Sequence, residues 1–306
     1  MRNTKKHMLF FWEGRFDMAN IYRFLRFPEG KLKAVTFSYD DGVRKDIQFS
    51  QILTARGLKG TFNINSINAA SNNGYHLNFE ELKTHLLNNG HEVAIHGAAH
   101  RAPTLQRTVD GIRDVLDCRI ALERGLGVIV RGMAYPDSGI RMRQPGTSSY
   151  DKVCEYLSDL GVAYSRTLGG DNDSFDLPCD PYAWMPTAHH NNPKIFEYIE
   201  KFNAITEESL YHSRKTAKLF YIWGHSYEFD RDNNWDRIEK ICSEICGKDD
   251  VWYATNIEIH DYIEAYKSLI FSADESLVYN PSLQKVWFWM DHKQYSVGSG
   301  ETLKLG

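Results

Sequence analysis

Short apolar runs and amphipathic segments alternate along most of the chain. Runs rich in β-branched and aromatic residues predict strands at 33–37, 60–64, 92–95, 128–135, 162–165, 218–223 and 251–255. Between them, apolar residues spaced three and four apart predict helices at 46–56, 79–89, 108–124, 150–160, 235–246 and 258–267. Repeated strand–helix units of this kind favour a mainly parallel sheet flanked by helices, as a barrel or a doubly wound sheet.

The pattern changes near residue 271, where helical periodicity stops. The segments SLVYN, KVWFWMD and QYSVGSGETLKL alternate or run apolar, with turn residues between them. We therefore expect an α/β body over residues 1–270 and a small antiparallel β appendage over 271–306 that packs on it. Trp287 and Trp289 alternate in the appendage, and packing against the body is favoured over a sugar-binding ridge because large aromatics usually serve burial.

The composition of the chain argues against nucleic-acid binding and against a membrane span. The chain of 306 residues has a formal net charge of −4, so it lacks the basic surface expected of a nucleic-acid-binding protein. No run of 18 apolar residues is present, and no membrane span is expected. The first 17 residues have a basic start but no long apolar core, which favours a protein that, as the sequence is written, is cytoplasmic or already processed. The oligomeric state has no signal in the sequence.

Candidate chemistry lies where predicted strands end. Ligands of parallel α/β proteins bind beyond the carboxyl ends of the strands. Four such ends carry polar or turn-forming groups, namely Asp40-Asp41-Gly42, His96 with His100, Tyr135-Pro136, and His225.

One pair of these ends has the composition of a metal site. His96 and His100 are four apart, and a helical turn would place both rings on one face. Asp41 would complete a set of two histidines and one carboxylate with an open coordination position, as in catalytic metal sites. The adjacent Asp40 would then be free to face a metal-bound water, because the cation offsets the repulsion between the two carboxylates.

Taken in order, TFSYDDG, HGAAH, AYP and WGH resemble the polysaccharide deacetylase family, the NodB-homology domain of carbohydrate esterase family 4. The resemblance extends over about residues 30 to 270. It implies a distorted (β/α) barrel that removes acetyl groups from N-acetylated, or O-acetylated, sugars of a poly- or oligosaccharide. It also implies a divalent metal cofactor, zinc first, with cobalt or nickel as alternatives.

The same resemblance implies roles for individual residues. Asp40 would be the general base and His225 the general acid, while Asp41, His96 and His100 would bind the metal. A backbone N–H near Tyr135 would stabilise the oxyanion. The implied substrate-binding residues are Tyr135, Pro136, Arg166 and Trp184, the last as a platform for a sugar ring.

Departures from the family pattern leave some assignments open. Gly97 stands where the family has a serine or threonine that would brace the histidine turn. The arginine that partners the base is not at its usual offset, so that Arg131 and Arg166 are both candidates. The carboxylate that supports His225 would be Asp173, Asp176 or Asp180; if His225 is structural instead, it would bond Glu228 or a nearby aspartate.

Three other functions remain open. The protein could be another C–N hydrolase on the same scaffold, because a fold does not fix a substrate. It could be a carbohydrate-binding protein with a vestigial metal site. A non-haem iron oxygenase also uses two histidines and one carboxylate. His189 and His190 are expected in a surface loop, with bordering the substrate cleft as the alternative.

Overall fold

The computed structural model describes residues 22–168 and 171–306. Within these ranges the chain alternates strands and helices up to residue 267 and then continues in short strands. In chain order the strands are β1 (Arg23–Arg26), β2 (Lys33–Asp40), β3 (Gly60–Ile64), β4 (Glu92–Ile95), β5 (Gly132–Ala134), β6 (Tyr164–Arg166), β7 (Ala188–His189), β8 (Lys218–Gly224), β9 (Val251–Tyr253), β10 (Ile270–Phe271), β11 (Leu277–Tyr279), β12 (Val286–Met290), β13 (Lys293–Val297) and β14 (Thr302–Lys304).

Helices occupy most of the connections between the parallel strands. They are α1 (Lys45–Thr54), α2 (Ser66–Ala70), α3 (Phe79–His85), α4 (Thr108–Leu126), α5 (Tyr150–Asp159), α6 (Ile195–Asn203), α7 (Tyr227–Arg231), α8 (Trp235–Ile245) and α9 (Asn256–Lys267). The longest, α4, buries Val115, Cys118 and Leu122 on one face and ends at Gly127, whose φ of 74° suits a residue without a side chain.

An eight-stranded parallel sheet forms the centre of the molecule. Its order is β6-β5-β4-β3-β2-β8-β7, and β9 pairs the first residues of β2. Every residue of β2 is buried, which explains why its sequence KAVTFSYD shows no clean alternation. The sheet curls into an open half-barrel covered by helices. The predicted (β/α) fold with additional antiparallel strands is therefore confirmed.

The strands near the C-terminus form two small antiparallel sheets, β1-β12-β13 and β10-β11-β14. β1 was not expected there; Phe24 of β1 pairs with Trp289 of β12, so that a strand from the start of the described chain joins the appendage. Trp289 is 7% exposed, and it packs as an interior residue rather than forming a ridge. The division into domains at residue 270 stays a prediction.

Several elements differ from the sequence expectations. α6 and α7 were not predicted, and the strand expected at 128–135 shrinks to the three residues of β5. Short apolar runs do not distinguish a strand from an extended loop, which explains the second error. The N-terminal segment 1–17, on which the expectation about a leader peptide depended, lies outside the described residues. Within the described ranges, no helix combines the length and the apolar character needed to cross a membrane.

Candidate active site

The predicted functional residues lie at one edge of the parallel sheet. Asp40 is the last residue of β2, and Arg166 is the last residue of β6. His96 follows β4 directly, and His225 follows β8. Because parallel strands place all their carboxyl ends at the same edge, residues far apart in sequence meet here.

A tight turn directs the Asp41 carboxylate toward the two histidines. Asp41 has a φ of 81°, in the left-handed region, and its N–H donates to the carbonyl of Asn63 at 3.0 Å. Gly42 follows with a φ of 64°, and a Cβ there would lie 2.7 Å from Ile64 Cδ1. The turn therefore needs glycine at this position. Asp41 Oδ1 lies 3.7 Å from His96 Nε2 and 3.4 Å from His100 Nε2.

The histidine turn is not helical, contrary to the expectation from its spacing. No helix includes residues 96–100, and the chain bends through Gly97, with a φ of 70°, and His100, with a φ of 53°. The two imidazole centroids are nevertheless 4.9 Å apart. A bent loop, rather than a helical face, brings the rings together.

Asp41, His96 and His100 fit a divalent cation. One ligand atom from each lies within 4.8 Å of the others, and zinc bonds of about 2.0–2.2 Å in a tetrahedron place ligand atoms roughly 3.4 Å apart. His96 Nδ1 lies 2.9 Å from the carbonyl of Ala134 and must donate to it, because a carbonyl only accepts. The lone pair of Nε2 is then free to bind a metal. Burial lowers the pKa of His96, which favours the neutral ring that a ligand needs.

Asp40 is held as a buried carboxylate beside this cluster. Its Oδ2 accepts a hydrogen bond from Arg166 at 2.5 Å, and its Oδ1 accepts one from Asn63 at 2.8 Å. Burial alone would raise the pKa of Asp40, but opposing charges, that of Arg166 foremost, outweigh burial and lower it to about 2. Asp40 Oδ2 is 4.0 Å from His96 Nε2 and 3.9 Å from His225 Nε2.

The structure decides between the two candidate arginines. Arg166 is fully buried and contacts Asp40, while its guanidinium stacks over Trp223 at 4.7 Å. Arg131 instead pairs with Asp261 at 2.5 Å, on α9. The Arg131 alternative is therefore wrong, and the Arg166 side chain contacts the predicted base rather than a substrate cleft.

His225 lies between the aspartate pair and a second carboxylate. Its Nε2 is 4.0 Å from Asp41 Oδ2, and its Nδ1 is 3.6 Å from Glu228 Oε1. Burial alone would lower the pKa of His225, but Glu228 and Asp40 outweigh burial and raise it above its usual value. The ring is therefore poised to carry a proton.

None of the three expected aspartates supports His225. Asp173 pairs with Lys201, and Asp176 pairs with Lys218. Asp180 accepts hydrogen bonds from Tyr182 and Tyr150. The carboxylate beside His225 is Glu228, three residues later on α7, which the sequence analysis named only for the case in which His225 is structural.

His189 and His190 are not in a surface loop. His189 ends β7 beside β8, and His190 is 1% exposed. Their Nε2 atoms lie 2.9 and 3.3 Å from Glu228 Oε2. His189, His225 and Glu228 thus form a second cluster whose atoms lie within 4.8 Å of one another.

The second cluster is a poor metal site despite this geometry. The backbone N–H of Asn191 donates to His189 Nδ1 at 3.1 Å. The proton of the neutral ring must then sit on Nε2, the atom that faces Glu228. Burial alone would raise the pKa of Glu228, but His189 and His225 outweigh burial and hold it well below its usual value. This cluster holds protons beside a carboxylate rather than presenting lone pairs to a cation.

Three expected substrate-binding groups do not face a cleft. Trp184 is 1% exposed and packs edge-on against Tyr164 and Tyr221, so it offers no platform for a sugar. The Tyr135 hydroxyl donates to the carbonyl of Tyr182 inside the protein. The backbone N–H of Tyr135 donates to the carbonyl of Arg166, so it is not free to stabilise an oxyanion. Pro136, also buried, lies against the histidine turn beside Gly97.

Asn63 is a site residue that the sequence analysis missed. Its side-chain amide donates to Asp40 Oδ1 at 2.8 Å and to Ser38 Oγ at 2.8 Å. A buried amide inside the apolar strand GTFNI was the available signal, since a buried polar group needs partners.

Comparisons with known proteins bear on the family and the fold. The sequence profile of the family described as "Polysaccharide deacetylase" matches residues 28–165. A crystal structure from Mycobacterium smegmatis, described as a candidate polysaccharide deacetylase, is 18% identical and covers 79% of this chain and 94% of its own, with a TM-score of 0.55. At this identity the likeness shows a shared fold.

Two further structures were compared. A family 4 carbohydrate esterase from Streptomyces lividans is 14% identical, covering 71% of this chain and 91% of its own, with a TM-score of 0.44. The peptidoglycan deacetylase PdaC from Bacillus subtilis is 13% identical, covering 78% and 94%, with a TM-score of 0.45. A search of the curated proteins finds no match. Residues 28–165 of this chain therefore match the polysaccharide deacetylase family, and the chain shares the fold of the Mycobacterium smegmatis structure.

Proposed function

We propose that this protein is a metal-dependent hydrolase that removes acetyl groups from N-acetylated or O-acetylated sugars of a poly- or oligosaccharide. The observation that carries the proposal is the position of Asp40. Its Oδ2 lies 4.0 Å from His96, a candidate metal ligand, and 3.9 Å from His225, a candidate acid. A base, a metal ligand and an acid within reach of one another are what amide hydrolysis requires.

In this proposal Asp41, His96 and His100 hold the metal. Two imidazoles and one carboxylate suit zinc, and cobalt or nickel accept the same donors. When bound, the metal would polarise the acetyl carbonyl and make a water molecule more acidic. The fixed tautomer of His96, set by the Ala134 carbonyl at 2.9 Å, supports this assignment.

Asp40 takes the proton from the attacking water. Because Arg166 lowers the pKa of Asp40 to about 2, the carboxylate is ionised throughout the neutral range. The oxygen of the water forms a bond to the acetyl carbon while its proton passes to Asp40. Arg166 and Asn63, which hold the two carboxylate oxygens at 2.5 and 2.8 Å, fix the direction from which the proton is taken.

His225 supplies the proton to the leaving group. When the bond between the acetyl carbon and the sugar nitrogen or oxygen breaks, His225 protonates that atom and acetate is released. Glu228, with its nearest oxygen 3.6 Å from His225 Nδ1, stabilises the charged imidazole before transfer. The raised pKa of His225 supports the role of acid near neutral pH.

The test is acetate release from a panel of N- and O-acetylated glycans, with metal-stripped protein and with zinc, cobalt or nickel restored. We expect release with metal and none without it. Metal binding without acetate release from any glycan would favour the carbohydrate-binding alternative. Turnover of other non-peptide amides alone would favour a different C–N hydrolase. Redox-active iron would favour an oxygenase, although such ligands usually lie on antiparallel sheets rather than on βα turns.

A further inference from the structure

The histidine turn, residues 96–100, has Gly97 at the position where the family resemblance places a serine or threonine. Gly97 has a φ of 70°, and its place beside the turn is taken by Asp114, a residue of α4. The resemblance gave no role to this helix. The structure shows why the turn keeps its shape without a side chain at position 97.

Asp114 bonds the turn through two groups. Its Oδ1 accepts a hydrogen bond from the backbone N–H of Ala99 at 2.8 Å, and its own carbonyl accepts one from Ala98 at 3.1 Å. The bonded residues immediately precede His100. The turn is therefore attached to α4 next to its second histidine.

The carboxylate of Asp114 and a side chain at position 97 exclude each other. A Cβ built on Gly97 would lie 2.4 Å from Asp114 Oδ2, much closer than any ordinary contact. The positive φ of Gly97 is also a backbone conformation that any other residue adopts only with strain. Asp114 thus occupies the space in which a serine or threonine hydroxyl would otherwise brace the turn.

The two histidines differ in how much they depend on this brace. His96 is buried, and its Nδ1 bonds the carbonyl of Ala134. The His100 side chain is 40% exposed, and no hydrogen bond within the described residues fixes its second ring nitrogen. The position of His100 therefore follows from the backbone of the turn, which Asp114 holds.

We propose that Asp114 is a positioning residue for the metal site, acting through the Ala99 N–H to hold His100 at Asp41. The inference rests on the proposed metal site, and it adds a residue that replaces the hydroxyl brace of the family. Without the brace, His100 must be ordered when the metal binds, and the affinity for metal falls.

The experiment measures zinc affinity by competition with a chromophoric chelator, together with the visible absorption of the cobalt form. Asp114→Ala should weaken zinc binding about 10–100-fold, the usual effect of removing a group that orients a ligand. Asp114→Asn keeps an acceptor for Ala99 and should stay within about fivefold of the wild type. Asp110→Ala is the matched control, because Asp110 lies one turn earlier on α4 and pairs only with Arg107 within the described residues.

Unchanged zinc affinity in Asp114→Ala, or an equal loss in Asp114→Asn and Asp114→Ala, would overturn the inference. Melting of the metal-free variants separates a local loss of affinity from a general loss of folding. If Asp114→Ala does not fold, Gly97→Ala provides the test. Its added methyl group should displace the Asp114 carboxylate from the Ala99 N–H and weaken zinc binding, and an unchanged zinc affinity in folded Gly97→Ala would overturn the inference. Absence of zinc binding by the wild type would instead contradict the proposed function itself.

Discussion

Two clusters of histidine and carboxylate lie side by side at the carboxyl edge of the sheet. The Asp41 cluster contains Asp41, His96 and His100, and the Glu228 cluster contains Glu228, His189 and His225. In each, one atom per residue lies within 4.8 Å of the other two. By composition and spacing alone, both would qualify as metal sites.

The two clusters differ in the hydrogen bond that the Nδ1 atom of one histidine makes. In the Asp41 cluster, His96 Nδ1 donates to a carbonyl, so that Nε2 presents a lone pair. In the Glu228 cluster, His189 Nδ1 accepts from a backbone N–H, so that Nε2 presents a proton. The same residue types therefore present a lone pair in one place and a proton in the other.

His225 connects the two clusters. One ring nitrogen faces Asp40 and Asp41, at 3.9 and 4.0 Å, and the other faces Glu228 at 3.6 Å. A proton stabilised by the Glu228 cluster is thus available where the metal cluster would hold an acetyl group. Under the proposed function, the Asp41 cluster would bind the metal and the Glu228 cluster would supply the proton, and each role can be tested separately.

The largest expected effect is on metal content. His96→Ala should lose stoichiometric zinc and all acetate release, because it removes a ligand from a set of three. His189→Ala should keep its zinc, because the tautomer of His189 does not favour coordination. Metal analysis after gel filtration measures both variants. Zinc retained by His96→Ala, or lost in His189→Ala, would contradict the proposal that the Asp41 cluster binds the metal and the Glu228 cluster does not.

The second-largest expected effect is a loss of turnover in a variant that keeps its zinc. Asp40→Asn should bind zinc normally and lose roughly 10²–10⁴-fold in turnover, the usual contribution of a positioned base. The variant also leaves the Arg166 charge buried with a weaker partner, so melting must be followed at the assay temperature. Near-normal turnover in a folded, zinc-loaded Asp40→Asn would remove Asp40 from the mechanism.

The core of the site could be predicted because the βα pattern fixes where strands end. Asp40, Asp41, His96 and His225 each follow a recognisable strand, and parallel strands bring these ends together. The same reasoning could not separate Arg131 from Arg166. Arg131 lies within the strand predicted at 128–135 and Arg166 directly follows the strand predicted at 162–165. In the structure Arg131 precedes its strand, whereas Arg166 is the last residue of its own.

Residues outside the strand ends could not be predicted in the same way. Trp184 was expected as a platform for a sugar ring, but it fills the interior beside β6, where a tryptophan is equally suited. The pairing of Glu228 with His189 requires β7, a strand of two residues that leaves almost no pattern in the sequence. The brace at Asp114 depends on packing between a helix and a loop, which no local spacing encodes.

A smaller effect distinguishes the acid from a structural histidine. His225→Ala should keep its zinc and lose roughly 10²-fold or more on an N-acetylated sugar, where the leaving nitrogen needs a proton. The loss should be much smaller on an aryl acetate, whose leaving group departs without one. Steady-state kinetics on the two substrates measures the ratio. Equal losses on both substrates would mean that His225 shapes the site rather than donating a proton.

The smallest effect concerns Glu228, which acts through His225. Glu228→Gln keeps the size of the side chain but removes the charge 3.6 Å from His225 Nδ1. We expect about a tenfold fall in turnover on the N-acetylated sugar, equivalent to about 1.4 kcal/mol of lost support for the charged imidazole. Zinc affinity should not change, and the aryl acetate should again be nearly insensitive. Asp230→Asn is the matched control, because Asp230 lies on the same short helix but pairs with Lys45 at the surface. If Glu228→Gln lowers zinc affinity instead, Glu228 belongs to a metal site, and the distinction drawn from the His189 tautomer does not hold.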